Sequence, residues 1–184
     1  PLRQFRERFL FPQHNGSDVR YFCGNSLGLQ PVSVRASVEQ ELDDWAQLGV
    51  EGHFRGTHPW LSYHKMFAEP LARLTGAQPH EVVAMNSLTV NLHLMMVSFY
   101  RPTAQRFKII CEAGAFPSDQ YALETQVRFH GFNPDEAIIE LVPRHGEHTL
   151  RTEDILNTII ANADNLALLM MPGVQYYTGQ VWYS

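Results

Sequence analysis

Two short strings carry most of the chemistry this sequence offers. Asn86-Ser87-Leu88-Thr89 follows the apolar run of residues 82–85 and opens an apolar stretch of helical spacing. Free backbone N–H groups and the positive end of a helix would meet there, an arrangement that favours a phosphate, with the Thr89 hydroxyl as an added donor. The plainer alternative is that Ser87 does no more than cap the helix. The second string, Ala115-Phe116-Pro117-Ser118-Asp119, puts an aromatic ring between a strand and a proline-started helix. A ring so placed can stack on a flat heterocycle. It can also be a hydrophobic staple followed by ordinary first-turn residues. A third string, Gly24-Asn25-Ser26-Leu27-Gly28, satisfies the G-x-S-x-G pattern of a serine hydrolase, with Ser26 as the nucleophile. That elbow requires a strand turning straight into a helix, whereas Leu29 and Gln30 intervene before Pro31 and no HGGG-like segment precedes it.

Other chemistries find little support. Cys23 and Cys111 are the only cysteines and form no C-x-x-C, so neither a disulfide framework nor a cysteine zinc site is expected, and a reducing, cytoplasmic setting fits. The pairs His58/His64 and His145/His148 lack a third ligand, so no metal is expected. A net charge of -5 without a run of Lys or Arg gives no electrostatic reason for a nucleic-acid or anionic-lipid partner. No stretch reaches the roughly 18 apolar residues of a membrane span, and the charged opening of residues 1–8 is no signal peptide. The absence of an initiator Met and the end at Ser184, shortly after an expected strand, predict a fragment boundary.

Elements must position these strings, and with 184 residues at 45% apolar content the chain can bury a core. Val34, Val38, Leu42, Trp45 and Leu48 recur at three and four, predicting an amphipathic helix over 31–48 that Gly49 stops. A second helix is predicted over 60–74, closed by Gly76. Strand then alternates with helix: strand 82–85 and helix 88–99, strand 107–111 and helix 117–130, strand 138–142 and helix 152–163, and a last strand 166–171. The strands are continuous apolar runs, as a sheet covered on both faces requires. The fold class is therefore α/β, a mainly parallel sheet with helices on both faces. Residues 1–80 are expected to form an N-terminal arm and helical segment, and residues 81–184 part of a larger sheet domain. In such a sheet ligands gather beyond the carboxyl ends of the strands, where both pointed strings fall.

The residues also carry a resemblance. Tyr21-Phe22-Cys23-Gly24-Asn25-Ser26-Leu27-Gly28-Leu29-Gln30-Pro31, then Met85-Asn86-Ser87-Leu88-Thr89-Val90-Asn91-Leu92-His93, then Phe116-Pro117-Ser118-Asp119, and finally Tyr176-Tyr177-Thr178-Gly179-Gln180, are similar in order and spacing to kynureninase. The resemblance runs from about Tyr21 to Gln180 and implies the aspartate-aminotransferase-like fold of pyridoxal 5'-phosphate (PLP) enzymes, of which this would be the N-terminal part, with homodimers whose sites lie at the subunit interface. It implies hydrolytic cleavage of L-kynurenine, or its 3-hydroxy form, to anthranilate, or 3-hydroxyanthranilate, and L-alanine, in tryptophan catabolism and NAD biosynthesis. By the same resemblance Leu88 and Thr89 would hold the PLP phosphate, Phe116 would stack on the pyridine, Pro117, Ser118 and Asp119 would line the cofactor, and Ser26 and His53 would lie near the substrate. Pro172 departs from the pattern where some members carry a hydroxyl residue, and Thr57-His58 departs from a basic pair. Lys65 and Lys108, the only lysines, match neither the position nor the role of the family's Schiff-base lysine, so no catalytic residue is assigned and the chain alone is expected to be inactive. The alternative to an enzyme part is a truncated, non-catalytic chain that binds a full-length partner through the dimer surface.

Overall fold

The computed structural model describes residues 2–182; Pro1 and the expected boundary at Ser184 lie outside them. The chain divides into two units, the first ending at Ala84 and the second beginning at Met85.

The first unit is built from short elements. Strands β1 (Gln13–His14) and β2 (Ser17–Asp18) form an antiparallel hairpin. Asn15 and Gly16 between them both take positive φ, 49° and 75°, the backbone that a two-residue turn between twisted strands demands. Helix α1 runs Val34–Leu48 and ends at Gly49, whose φ of 53° stops it as expected. It begins three residues after Pro31, because Pro31 bridges Phe9 and the flanking groups pair as well, Leu10 N–H to the Gln30 carbonyl at 2.9 Å and Val32 N–H to that of Arg8 at 3.0 Å. The expected helix over 60–74 is split. Trp60–Phe67 is 3-10, and only Ala68–Thr75 is α-helical (α2), closed by Gly76 in the left-handed region. Pro70 explains the break: its ring clashes with the carbonyl four residues back and it has no N–H to give, so it is accommodated only in a helix's first turn.

The second unit contains the sheet. Helix α3 (Leu88–Phe99) leads to strand β3 (Lys108–Glu112), then α4 (Pro117–Phe129), the short α5 (Pro134–Ala137), β4 (Ile138–Leu141), α6 (Thr152–Ala161) and β5 (Leu166–Met170). The three strands are parallel in the order β4-β3-β5. Residues 82–85, expected as a further strand, are not one: the run lies across the boundary between the units and pairs with nothing among the described residues. An apolar run makes a strand only where another offers it a hydrogen-bonding edge.

Strand β3 is central, and alternate side chains feed two cores. Ile109 and Cys111 pack with Met96 and Tyr100 of the α3 segment and with Leu123 and Val127 of α4. Ile110 points the other way, toward Leu141, Leu150 and the α6 residues Ile155 and Ile159. Helices therefore cover both faces, as the apolar character of the strands predicts. The one hydroxyl in this core is satisfied, since Tyr100 donates to the Phe107 carbonyl at 2.7 Å. No helix among the described residues is long and apolar enough to cross a membrane.

The two cysteines should react very differently. Cys23 is exposed, whereas Cys111 is fully buried in β3 and burial, reinforced by Glu140 and Glu112, pushes its thiol up to about 12. Because the thiolate is the reactive form, a thiol reagent is expected to titrate one sulfhydryl per native chain and two after denaturation. Two fast equivalents from the native chain would contradict this placement.

Candidate functional site

Helices α3 and α4 both begin in the second unit without a side chain capping them. Ser87 occupies the N-cap of α3 and Phe116 that of α4, and neither makes a cap hydrogen bond. Ser87 thus holds the capping position without using its hydroxyl to cap, and the first N–H groups of α3 are left available. Pro117 fills the first position of α4, where its missing N–H is no loss.

The two helix starts are tied together. The Thr89 hydroxyl, in the first turn of α3, donates to Ser118 Oγ in the first turn of α4 at 3.2 Å, and Ser118 in turn reaches Asp119 Oδ1 at 3.5 Å. Two positive helix ends thereby converge on one place, each worth about 0.3–1 kcal/mol to a nearby anion. Both hydroxyls can rotate toward an incoming oxygen.

Phe116 is 50% exposed, and among the described residues the one aromatic ring it meets is that of Tyr176, edge to face at 5.3 Å. Its half-exposed ring leaves aromatic surface free at the carboxyl end of the sheet.

A cavity of about 300 Å³ opens beyond the ends of β3 and β5. Leu88, Leu92, Glu112, Asp119 and Pro172 are among its walls, along with Cys111 and Met170 from the strands. Leu88 and Asp119, from separate strings, thus line one space, and Thr89 and Ser118 are bonded to each other. The departure at Pro172 falls in this wall, where it supplies apolar surface and no donor.

Glu112 is the residue that sequence reasoning missed. It ends β3 at 5% exposure, and its Oε2 has no hydrogen-bond partner. Burial, and secondarily the Asp119 charge, hold its carboxyl above the ordinary carboxylate range. A signal existed in the abrupt change from the apolar run of residues 107–111 to an acid, but that reads equally as a strand leaving the core.

The raised value has a definite sign. Folding favours the protonated form, a contribution complete below the unfolded pKa and lost as pH rises through the folded one. Glu112→Gln cannot ionise, so its melting temperature relative to the parent should climb from about pH 4 to about pH 8. Thermal melts across that range check it, and a difference that stays flat or falls would contradict the buried placement.

Ser26 and His53 belong to the first unit. Ser26 lies in an exposed turn, its N–H donating to the Cys23 carbonyl at 2.9 Å, with no strand leading in and no helix leading directly out. The nucleophile elbow is therefore not formed, which removes the serine-hydrolase alternative. His53 ends a 3-10 turn (Gly49–His53), exposed, with its ring edge-on to Trp60 at 5.4 Å. Trp60 is packed so closely over Gly52 that a Cβ there would lie 2.5 Å from the indole. Its N–H donates to Glu41 at 3.0 Å, and Glu41 also pairs with His58 Nδ1 at 2.9 Å. His58, one of the two departures from the basic pair, is thus held by a carboxylate within its own unit. Among the described residues no three His, Cys, Asp or Glu side chains form a group able to hold a metal.

No protein-family model matches the chain. Curated relatives do. It is 58% identical over 98% of its length to a protein named kynureninase from Flavobacterium psychrophilum, and 60% identical over 98% to one from Myxococcus xanthus. A kynureninase from Koribacter versatilis is 58% identical over 99% of the chain. The chain spans 43% of the length of each of these relatives, less than half.

Proposed function

We propose that this chain, a homologue of the kynureninases along 98% of its sequence, is the N-terminal part of such an enzyme and supplies the phosphate-binding and ring-stacking side of its PLP site. The whole protein would be a homodimeric, cytoplasmic hydrolase that cleaves a carbon–carbon bond of L-kynurenine or 3-hydroxy-L-kynurenine, giving L-alanine and anthranilate or its 3-hydroxy form. That places it in tryptophan catabolism, on the route to NAD.

One observation carries the assignment: the tied, uncapped starts of α3 and α4 stand beside a cavity at the carboxyl ends of the parallel strands. The donor set suits an anionic, flat cofactor. Backbone N–H groups at Leu88, the Thr89 hydroxyl and two helix dipoles favour a phosphate. Half-exposed Phe116 offers a ring for the pyridine, and Pro117, Ser118 and Asp119 form the first turn beside it. An unpartnered buried carboxyl at Glu112 adds a polar group that wants a partner.

When bound, PLP supplies the electron sink that carbon–carbon cleavage needs. The chain's own residues bind and orient. Leu88 and Thr89 fix the phosphate end, Phe116 sets the plane of the ring, and the apolar walls from Leu92, Met170 and Pro172 keep water from the cavity's inner side. Ser26 and His53 are assigned to the substrate, Ser26 from an exposed turn and His53 as a ring that Trp60 steadies. The non-catalytic dimerisation partner is the second reading, favoured by the two lysines' positions alone. Adding L-kynurenine and PLP to the complete protein decides between them: release of anthranilate supports the enzyme, and a folded complete protein that releases none would overturn it.

A further inference from the structure

Trp60 is held at both ends of its indole. Its N–H donates to Glu41 Oε2 at 3.0 Å, and its six-membered ring lies so close over the buried Gly52 that a Cβ there would meet it at 2.5 Å. The chain between Gly52 and Trp60 is pinned to α1 by two carboxylates nearly one turn apart. Asp44 accepts from the Thr57 N–H at 3.0 Å, and Glu41 takes His58 Nδ1 at 2.9 Å as well as Trp60. Both oxygens of Glu41 are thus engaged within the first unit, which makes it an anchor and not a ligand group.

The anchored indole fixes a third group. His53 directly follows Gly52, and its ring stands at 88° to the indole with centroids 5.4 Å apart. Among the described residues the rings of His14, His58 and His93 hydrogen-bond to other side chains and that of His53 does not. This exposed imidazole is therefore held by packing, with its nitrogens left to a ligand.

We propose that Glu41 and Gly52 are positioning residues for His53 and act through Trp60. The carboxylate sets where the indole lies, the missing Cβ lets it lie against the backbone at Gly52, and the indole sets the plane in which His53 meets the substrate. The inference rests on the assignment of His53 to the substrate. Without the anchors an exposed imidazole samples several rotamers, and the substrate has to order it on binding. That loss appears in KM more than in kcat.

The experiment is steady-state kinetics of the complete protein with L-kynurenine at saturating PLP, for the parent, Glu41→Ala, Glu41→Gln, Gly52→Ala and His53→Ala, and for the first three substitutions combined with His53→Ala. Glu41→Ala and Gly52→Ala should each raise KM about two- to tenfold, the range that an aromatic pair is worth. Glu41→Gln keeps a carbonyl oxygen for the Trp60 N–H and should stay near the parent. With His53→Ala already present the same substitutions should add nothing, because the group they position is gone. A merely structural role lowers the folded fraction, which moves the apparent kcat and the melting temperature but not KM. Gly52 takes a negative φ, so alanine suits the backbone and acts by displacing the indole. Glu41 is partly exposed, so Glu41→Ala carries the test should Gly52→Ala fail to fold. A raised KM for His53→Ala with a parental KM for Glu41→Ala, or an equal rise with and without His53, would overturn the positioning role and leave His53 at the substrate. A parental KM for His53→Ala would overturn that assignment and the positioning role with it.

Discussion

Incubated alone with PLP and L-kynurenine, the 184-residue chain is expected to release no measurable anthranilate, while the complete protein does. The expectation follows from where its two lysines stand. Lys108 opens β3, at the opposite end of the strand from Glu112 and the cavity, and its ammonium reaches Asn162 Oδ1 at 3.3 Å. Lys65 lies in the 3-10 segment of the first unit. Lys108 is thus not placed to carry the cofactor or to move protons at the cavity, and Lys65 belongs to a different unit from the cavity. Positioned acid–base groups are worth roughly 10²–10⁴ in rate each, so a chain with no lysine at the cofactor is expected to turn over below detection. Anthranilate fluorescence follows the reaction directly. Turnover by a chain purified free of other enzymes would show that one of these lysines, or another group here, does the work.

The second large effect is expected at Phe116. In the complete protein Phe116→Ala removes a ring–ring interaction of about 0.5–1.5 kcal/mol together with the area that the ring covers on the cofactor. At about 1.4 kcal/mol per tenfold, the stacking part alone weakens PLP binding roughly two- to tenfold. Phe116→Tyr keeps the ring and should lose much less. Because the side chain is 50% exposed and, among the described residues, Tyr176 is the one aromatic ring it meets, its removal should lower the melting temperature of the cofactor-free protein little. A large fall in stability with unchanged PLP affinity would instead make Phe116 a packing residue.

Much of this arrangement is legible in the residues, for identifiable reasons. The sheet strands are continuous apolar runs, and each expected run after residue 107 forms a strand within a residue of its expected bounds. Gly49 and Gly76 end helices where a positive φ is needed, and Pro117 starts one where a missing N–H costs nothing. Apolar character misleads at residues 82–85, because it reports burial tendency and says nothing of whether a pairing edge is near. Pro70 was readable as a break in the helix over 60–74, and the even spacing of Met66, Phe67, Leu71 and Leu74 obscured it. The Asn15-Gly16 hairpin carries the strongest short turn signal, yet its flanks do not alternate and so drew no expectation. At the site, the two loops are visible as strings, but the bond from Thr89 to Ser118 joins positions 29 residues apart and only folding reveals it. Glu112 is hidden for the same reason: its significance lies in having no partner.

The central claim is that the linked starts of α3 and α4 hold a phosphate whose attached ring lies against Phe116. A crystal structure of the complete protein grown with PLP tests it most directly. The account predicts phosphate density within hydrogen-bond distance of the Leu88 backbone and the Thr89 hydroxyl, with the pyridine stacked on Phe116. Density for the cofactor elsewhere, with these two helix starts still joined by Thr89 and Ser118 alone, would contradict it.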